Sequence, residues 1–383
     1  MSTNIQELAL KVHHALLRND HTATVDDVAE IATLIREQAT GVISDIDVLS
    51  VLRTLRNDTY GIGLLEQVIA DDSVTDILVN GTGDIWFDRG NGLELSSVRF
   101  EDTSQIRQLA TRLLTTAGRR LDDATSYADG HILRPNGSSL RVHAILSPPA
   151  QDGTCLSLRV LRHIDATVDS LAARGTFSKA TAHCLKQLVD NRRSFVVVGG
   201  TGSGKTTLLA ALLGQVSCQE RIITIEDTAE LKPKHQHVVG LVAKTANTEG
   251  KGQITMSDLL KQALRMRPDR IVVGEIRGAE VIDLLAALNT GHEGCAGTVH
   301  ANSLQEVPAR FEALAALGGM KQDALTSQLA AAAPVVLAMK RTASGQRILH
   351  QMGILKNNPI EVHILWDIAS GVEPDIDWGE DHR

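Results

Sequence analysis

Apolar residues recur at helical spacing near the start of the chain, first at Ile5, Leu8, Val12 and Leu16, then at Val28, Ile31 and Ile35. Thr24 with Asp27 three residues on resembles a capping box, and Asp45 stands where it can cap a third helix. This predicts a helical extension over 1–58 that carries no chemistry of its own. From 59 to 163 the pattern shortens. VTDILVNGTGDIWFDRG reads as two strands joined by an Asn80-Gly81-Thr82-Gly83 turn, and Thr103 to Ala117 as an amphipathic helix. HILRPNGSSLRVHAIL reads as a hairpin around Asn136-Gly137, and CLSLRVLR as a further strand. Together they predict a compact α+β domain.

Residues 164–176 read as a linker. Over 177–383 helices alternate with the short apolar strands FVVVG, RIITIE, RIVVGE and GTVHA. Such alternation predicts an α/β domain with a mainly parallel sheet covered by helices. VVLAMKR and RILHQMGIL, around Ser344-Gly345, predict an antiparallel hairpin near the end.

Composition narrows the classes. The formal net charge is −8 and aromatics make up 3% of the chain. A nucleic-acid motor would present a basic stripe interleaved with stacking aromatics, and neither is evident. Cys155, Cys184, Cys218 and Cys295 are scattered without a CxxC pair, which reads as reduced thiols rather than a zinc site or a disulfide framework. The N-terminal residues lack the basic start and apolar core of a signal peptide. The longest apolar run, Leu329 to Met339, is too short for a bilayer and contains Pro334. The expectation is a cytoplasmic protein that reaches the membrane only through partners.

GGTGSGKT fits the phosphate-loop pattern G-x-x-x-x-G-K-[ST] from Gly199 through Gly200, Thr201, Gly202, Ser203, Gly204 and Lys205 to Thr206, with Thr207 following. An apolar strand enters it and the helix TTLLAALL leaves it. Glycines let backbone N–H groups converge on an anion, and the helix N-terminus adds partial positive charge. Lys205 is placed to neutralise the β- and γ-phosphates of ATP, and the Thr206 hydroxyl to ligate Mg²⁺. Such a site needs carboxylates at the carboxyl ends of neighbouring strands. RIITIEDTAEL supplies Glu226 and Asp227, and RPDRIVVGEIRGAE supplies Glu275, with Pro268 stopping the preceding helix. Glu275 either holds the metal or orients and deprotonates water. His300 closes the strand in GHEGCAGTVHANS, either as a γ-phosphate sensor or as a packing residue, and His292 lies in the glycine-bounded turn before it.

GGTGSGKTT, TIEDTAEL, LRMRPDRIVVGEIRGAE and NTGHEGCAGTVHANS occur in the order of the Walker A, Asp box, Walker B and His box of the type II/type IV secretion ATPases. The chain resembles that superfamily over about 60–355. It is most similar to the tight-adherence (Tad/Flp) pilus-assembly branch, notably in ANTEGKGQITMSDLLKQALRMRPDR. The resemblance implies a RecA-like P-loop ATPase domain preceded by a smaller PAS-like α+β domain, assembled as a hexameric homo-oligomer. ATP would lie between the two domains, and their motion would drive pilin or substrate transfer through inner-membrane platform proteins. It assigns catalysis to Glu275, Glu226 and His300, and metal binding to Thr206, Glu226 and Glu275. It also implies γ-phosphate contacts from Arg120 and Arg141. His131 and Lys244 stand where relatives carry Arg. A RecA-like nucleic-acid motor, a conjugation-associated ATPase and a non-hydrolysing nucleotide switch are the alternatives.

Overall fold

A computed structural model describes residues 8, 11–12, 28–39, 43–59, 61–161, 166–246, 250–289, 291–332, 334–356 and 360–379. The chain forms two compact units, Met1–Arg162 and His163–Arg383. In the first, helices α1 (Val28–Gln38) and α2 (Asp45–Thr59) bury Ile31, Ile35, Val48, Val51 and Leu55 against Leu8 and Val12. Ser44, not Asp45, caps α2. Its hydroxyl accepts the Asp47 N–H while Asp47 accepts the Ser44 N–H, the reciprocal arrangement that satisfies two orphan donors. Asp45 sits in the first turn and pairs with Arg36 at 2.7 Å. Ile5, Leu16 and the Thr24–Asp27 box lie outside the described residues.

The rest of this unit is one antiparallel sheet with a helix on it. In chain order come α3 (Glu66–Ile69), β1 (Asp76–Val79), β2 (Asp84–Asp88), β3 (Leu93–Arg99), α4 (Thr103–Thr116), β4 (Tyr127–Leu133), β5 (Ser139–Ile145) and β6 (Cys155–Leu161). The strand order is β3-β2-β1-β6-β5-β4. The Asp102 side chain caps α4, whose Ile106, Leu109, Ala110, Leu113 and Leu114 face the core. The β1–β2 and β4–β5 pairs are the two hairpins the turn residues predict.

The second unit holds α5 (Val168–Ala173), α6 (Lys179–Asp190), β7 (Phe195–Val198), α7 (Lys205–Leu213), β8 (Ile222–Glu226), β9 (Val238–Val242), α8 (Met256–Ala263) and β10 (Arg270–Ile276). There follow α9 (Glu280–Asn289), β11 (Ala296–Val299), α10 (Val307–Leu317), α11 (Gln322–Ala332), β12 (Val335–Arg341), β13 (Arg347–Lys356) and β14 (Glu361–Asp367). The sheet order is β14-β13-β12-β7-β11-β10-β8-β9. The six strands from β12 to β9 run parallel, while β13 and β14 return antiparallel. Every residue of β7 is buried. Phe195 and Val197 enter one core and Val196 and Val198 the other, because alternate side chains leave opposite faces of a strand. Helices therefore cover both faces, as the continuous apolar strands require.

Within the stretch read as a linker, α5 is a capped helix. Thr167 and Ser170 form the capping box, and Val168 and Leu171 join the core of the second unit. At the other end, 371–379 lies as a strap. Trp378 is 2% exposed and its indole donates to the Cys184 carbonyl of α6 at 2.9 Å. All four cysteines are free thiols. No helix among the described residues is long and apolar enough to cross a membrane.

Candidate active site

The phosphate loop leaves the buried end of β7 and enters α7. Gly199, Gly202 and Gly204 have φ of 153°, 72° and 94°, conformations that side chains with a Cβ rarely adopt. At Gly199 a Cβ would also lie 2.4 Å from the Met339 carbonyl oxygen. Ser203 Oγ is buried in this loop without a hydrogen-bond partner. Lys205 is 8% exposed and donates to the carbonyls of Gly199 at 2.9 Å and Gly200 at 3.0 Å. Burial holds its pKa below the ordinary lysine value. Its ammonium thus satisfies the loop's own carbonyls, contacts that a phosphate chain can take over. Thr206 and Thr207 follow in the first turn of α7.

β11 lies between β7 and β10, and β8 lies beyond β10. The carboxyl ends of these parallel strands therefore line up as Walker A, His box, Walker B and Asp box. His300, one residue past β11, places Nε2 2.8 Å from Glu275 Oε1. That oxygen is buried and has no other partner. The other oxygen, Oε2, takes a 2.5 Å bond from Arg277 Nη2, while Arg277 Nη1 donates to Asp227 at 3.0 Å. Burial pushes the Glu275 carboxyl up, but the Arg277 bond and charge, with His300 and Lys205, outweigh it and hold the group below the ordinary glutamate value. Glu275 is thus ionised at neutral pH. Burial, and then the charge of Lys205, pull His300 down, so its ring is neutral there.

Glu226 ends β8 but does not open toward solvent. It is 5% exposed, and its Oε1 accepts the N–H groups of Glu230 at 3.0 Å and Leu231 at 2.8 Å. Burial raises its pKa to about 7. Its chain lies where a Cβ on Gly274 would approach Glu226 Cγ at 2.7 Å, so a glycine before Glu275 gives it room. Glu226 caps the 226–231 turn that carries Asp227.

A nucleotide with its metal fits these groups by one test. Ser203 Oγ, buried inside the phosphate loop, has no hydrogen-bond partner within the protein, and native proteins rarely leave such atoms unsatisfied. Among the described residues no three His, Cys, Asp or Glu side chains cluster as a metal cage. Mg²⁺ would therefore take few protein ligands beside phosphate oxygens, as this small, strongly hydrated ion commonly does.

Arg277 escaped the sequence reading. The available signal is spacing, since residues two apart on an extended strand share a face and Glu275 and Arg277 are such a pair.

The family model for type II/IV secretion system proteins matches residues 58–351. The chain belongs to that family. A Mycobacterium tuberculosis protein named for conjugal transfer is 52% identical over 87% of this chain and 96% of its own length. Conjugal transfer protein TrbB of Rhizobium radiobacter is 29% identical over 75% of this chain and 87% of its own. The fold is shared with solved structures of the pilus retraction motor PilT and of the Legionella pneumophila ATPase DotB. Each has a TM-score of 0.54 and covers 77% of this chain, at 20% and 19% identity, and the matches span 83% and 80% of those chains.

In this secretion-family chain, Arg120 and Arg141 belong to the first unit and the phosphate loop to the second. Arg120 is exposed and paired with Asp122. Arg141 lies on β5, opposite His131 on β4 and Arg159 on β6. Arg134, three residues past His131, is held by Glu66 at 2.6 Å with both side chains mostly buried. Lys244 bridges to Ile254 through its backbone.

Proposed function

We propose that the chain is a Mg²⁺-dependent ATPase and the cytoplasmic motor of a type II/IV-type secretion or pilus-assembly machine. The observation that carries this reading is the line of charged and polar groups along the strand ends. Lys205, His300 and Glu275 lie within each other's electrostatic reach, with His300 Nε2 2.8 Å from Glu275 Oε1. Glu275 is the general base, positioned through Oε2 so that Oε1 receives a proton from water. Lys205 moves from the Gly199 and Gly200 carbonyls to the β- and γ-phosphates. Thr206 and Glu275 would hold Mg²⁺, and the ion would supply charge neutralisation at the phosphates. Glu226 supports the turn carrying Asp227 and through it Arg277. His300, uncharged, adds no positive charge beside Lys205 and exchanges its contact with Glu275 for a hydrogen bond to the γ-phosphate.

The further steps follow from the family. The protein acts as a homo-oligomer, taken as a hexamer, on inner-membrane platform proteins. By resemblance Arg120 and Arg141 are the γ-phosphate contacts, so hydrolysis removes the group they bind, and the state that binding favoured loses its advantage. Membership of the tight-adherence branch rests on the ANTEGKGQITMSDLLKQALRMRPDR stretch. A conjugation-associated role is the second reading, favoured by the 52% identity to the protein named for conjugal transfer.

The test is ATP turnover and binding by purified wild type, Lys205→Ala and Glu275→Gln. Lys205→Ala should lose nucleotide binding. Glu275→Gln should bind ATP and turn over ~10²–10⁴-fold more slowly, the loss expected for a general base. Near-normal turnover by Glu275→Gln would overturn the assignment, and stimulation by single-stranded DNA would favour a nucleic-acid motor instead.

A further inference from the structure

The β12–β13 hairpin lies outside all four family boxes, yet it abuts the phosphate loop. Its turn, at Ser344-Gly345, leads into Arg347, the first residue of β13. Arg347 Nε donates to the Gly202 carbonyl oxygen at 3.0 Å. A Cβ on Gly204 would lie 3.2 Å from Arg347 Cδ, so the side chain lies along the loop. The hairpin is itself anchored. Gln346 Nε2 donates to the Gly175 carbonyl at 3.0 Å, and the Leu349 N–H to the Thr176 carbonyl at 3.0 Å. Beside these contacts is a cavity of about 250 Å³, lined among others by Arg174, Thr207, Leu208, Met339 and Arg347.

The peptide that Arg347 grips has a defined consequence. In a planar trans peptide the C=O of Gly202 and the N–H of Ser203 point in opposite directions. Fixing the carbonyl on Arg347 therefore fixes the Ser203 N–H on the other side. There it is turned back into the loop, toward the Gly200 carbonyl at 3.3 Å. Gly202, at φ 72° and without a Cβ, has little intrinsic resistance to rotation of this peptide. A flipped peptide would aim a carbonyl dipole at an incoming anion, so something must hold it.

Resting on the reading of this site as an ATP site, we propose that Arg347 is a positioning residue for nucleotide binding. It pins the Gly202–Ser203 peptide so that the Gly202 carbonyl stays turned away from the space the phosphate chain takes. It acts through the loop and not through the nucleoside. Its effect must therefore extend to any polyphosphate, with or without a base.

The experiment is isothermal titration of the full-length protein with a non-hydrolysable ATP analogue and, separately, with inorganic tripolyphosphate. Wild type, Arg347→Ala, Arg347→Lys and Lys205→Ala are compared, with thermal melts as the control for folding. Arg347→Ala should weaken both ligands by about tenfold, the loss of one hydrogen bond from a charged donor. KM for ATP should rise by a similar factor, while kcat at saturation falls less than threefold. Arg347→Lys keeps the charge but lacks the Nε donor, and should behave like Arg347→Ala. Loss of ATP-analogue affinity with tripolyphosphate unaffected would assign Arg347 to the nucleoside and overturn the proposal. Full function in Arg347→Lys, or a fall in kcat without a change in KM, would overturn it too. If wild type bound neither ligand, the ATP-site reading would fail. If wild type bound both and Arg347→Ala bound them equally, only the role of Arg347 would fail.

Discussion

Replacing Glu226 by glutamine should make the stability of this protein less sensitive to pH. The Glu226 carboxyl is buried at the end of β8, and its pKa is raised from the ordinary glutamate value of 4.5 to about 7. The sign follows from proton binding. Between those two values the folded chain holds a proton that the unfolded chain has released. The stabilisation is thus fully present below about pH 4.5 and is lost as pH rises through about 7. The difference between these values, at about 1.4 kcal/mol per pH unit, comes to roughly 3 kcal/mol at pH 8 and under about 1 kcal/mol at pH 5. Glutamine keeps a carbonyl oxygen for the Glu230 and Leu231 N–H groups and never ionises.

The assay is calorimetric melting of nucleotide-free wild type and Glu226→Gln at pH 5 and pH 8. Any fixed cost of the substitution, and the titration of every group not coupled to Glu226, cancels in the change of the Tm difference between the two pH values. That change should favour Glu226→Gln at pH 8 by about 4–10 °C, taking about 2–4 °C per kcal/mol for a unit of this size. A Tm difference that is the same at both pH values would refute the reasoning. It would mean that the carboxylate is solvated, or that the turn donors fully compensate its burial.

Two further predictions follow from the same structure. Arg277→Ala should lower kcat by roughly 10²-fold while leaving the affinity for a non-hydrolysable ATP analogue within threefold, because a misplaced catalytic group costs about that much; an unchanged kcat in steady-state assays would remove Arg277 from the positioning role. Trp378→Ala should destabilise the protein by about 3–5 kcal/mol, since the strap holds an indole that is 2% exposed and bonded to the Cys184 carbonyl; wild-type melting would show that the strap is not part of the folded core.

The parts of the fold legible in the sequence share a physical origin. β7 and β8 are buried along their whole length and β10 nearly so, hence they read as uninterrupted apolar runs. The β1–β2 and β4–β5 turns carry residues that turn geometry demands. Strands β3, β9 and β14 were not legible, and all three are sheet edges. LELSSVR in β3 is exposed or half-buried throughout, and β9 likewise has no fully buried residue. An edge strand with little to bury leaves little periodicity to read. Helix α5 was hidden by its brevity, with only Val168 and Leu171 buried to mark it.

The site shows the same division. Residue types and spacing identify Lys205, Glu226, Glu275 and His300, but not their order in space. Along the chain the Asp box follows Walker A and the His box comes last. In the sheet β11 inserts between β7 and β10, so the last box lies beside the first. That crossover gives His300 its place between the phosphate loop and Glu275, and it moves Glu226 one strand further out. At that distance Glu226 meets the turn it caps and the open backbone of Gly274, not the loop. Two carboxylates that look equivalent in the sequence therefore part in their surroundings. Glu275, drawn down by Arg277, His300 and Lys205, stays ionised next to the phosphate loop. Glu226, surrounded by apolar strand ends and by Asp227 and Glu230, is driven toward its neutral form. A pKa of about 7 leaves Glu226 partly ionised at neutral pH, so what separates the two is place: Glu275 faces His300 beside the phosphate loop, and Glu226 is held by the N–H groups of its own turn.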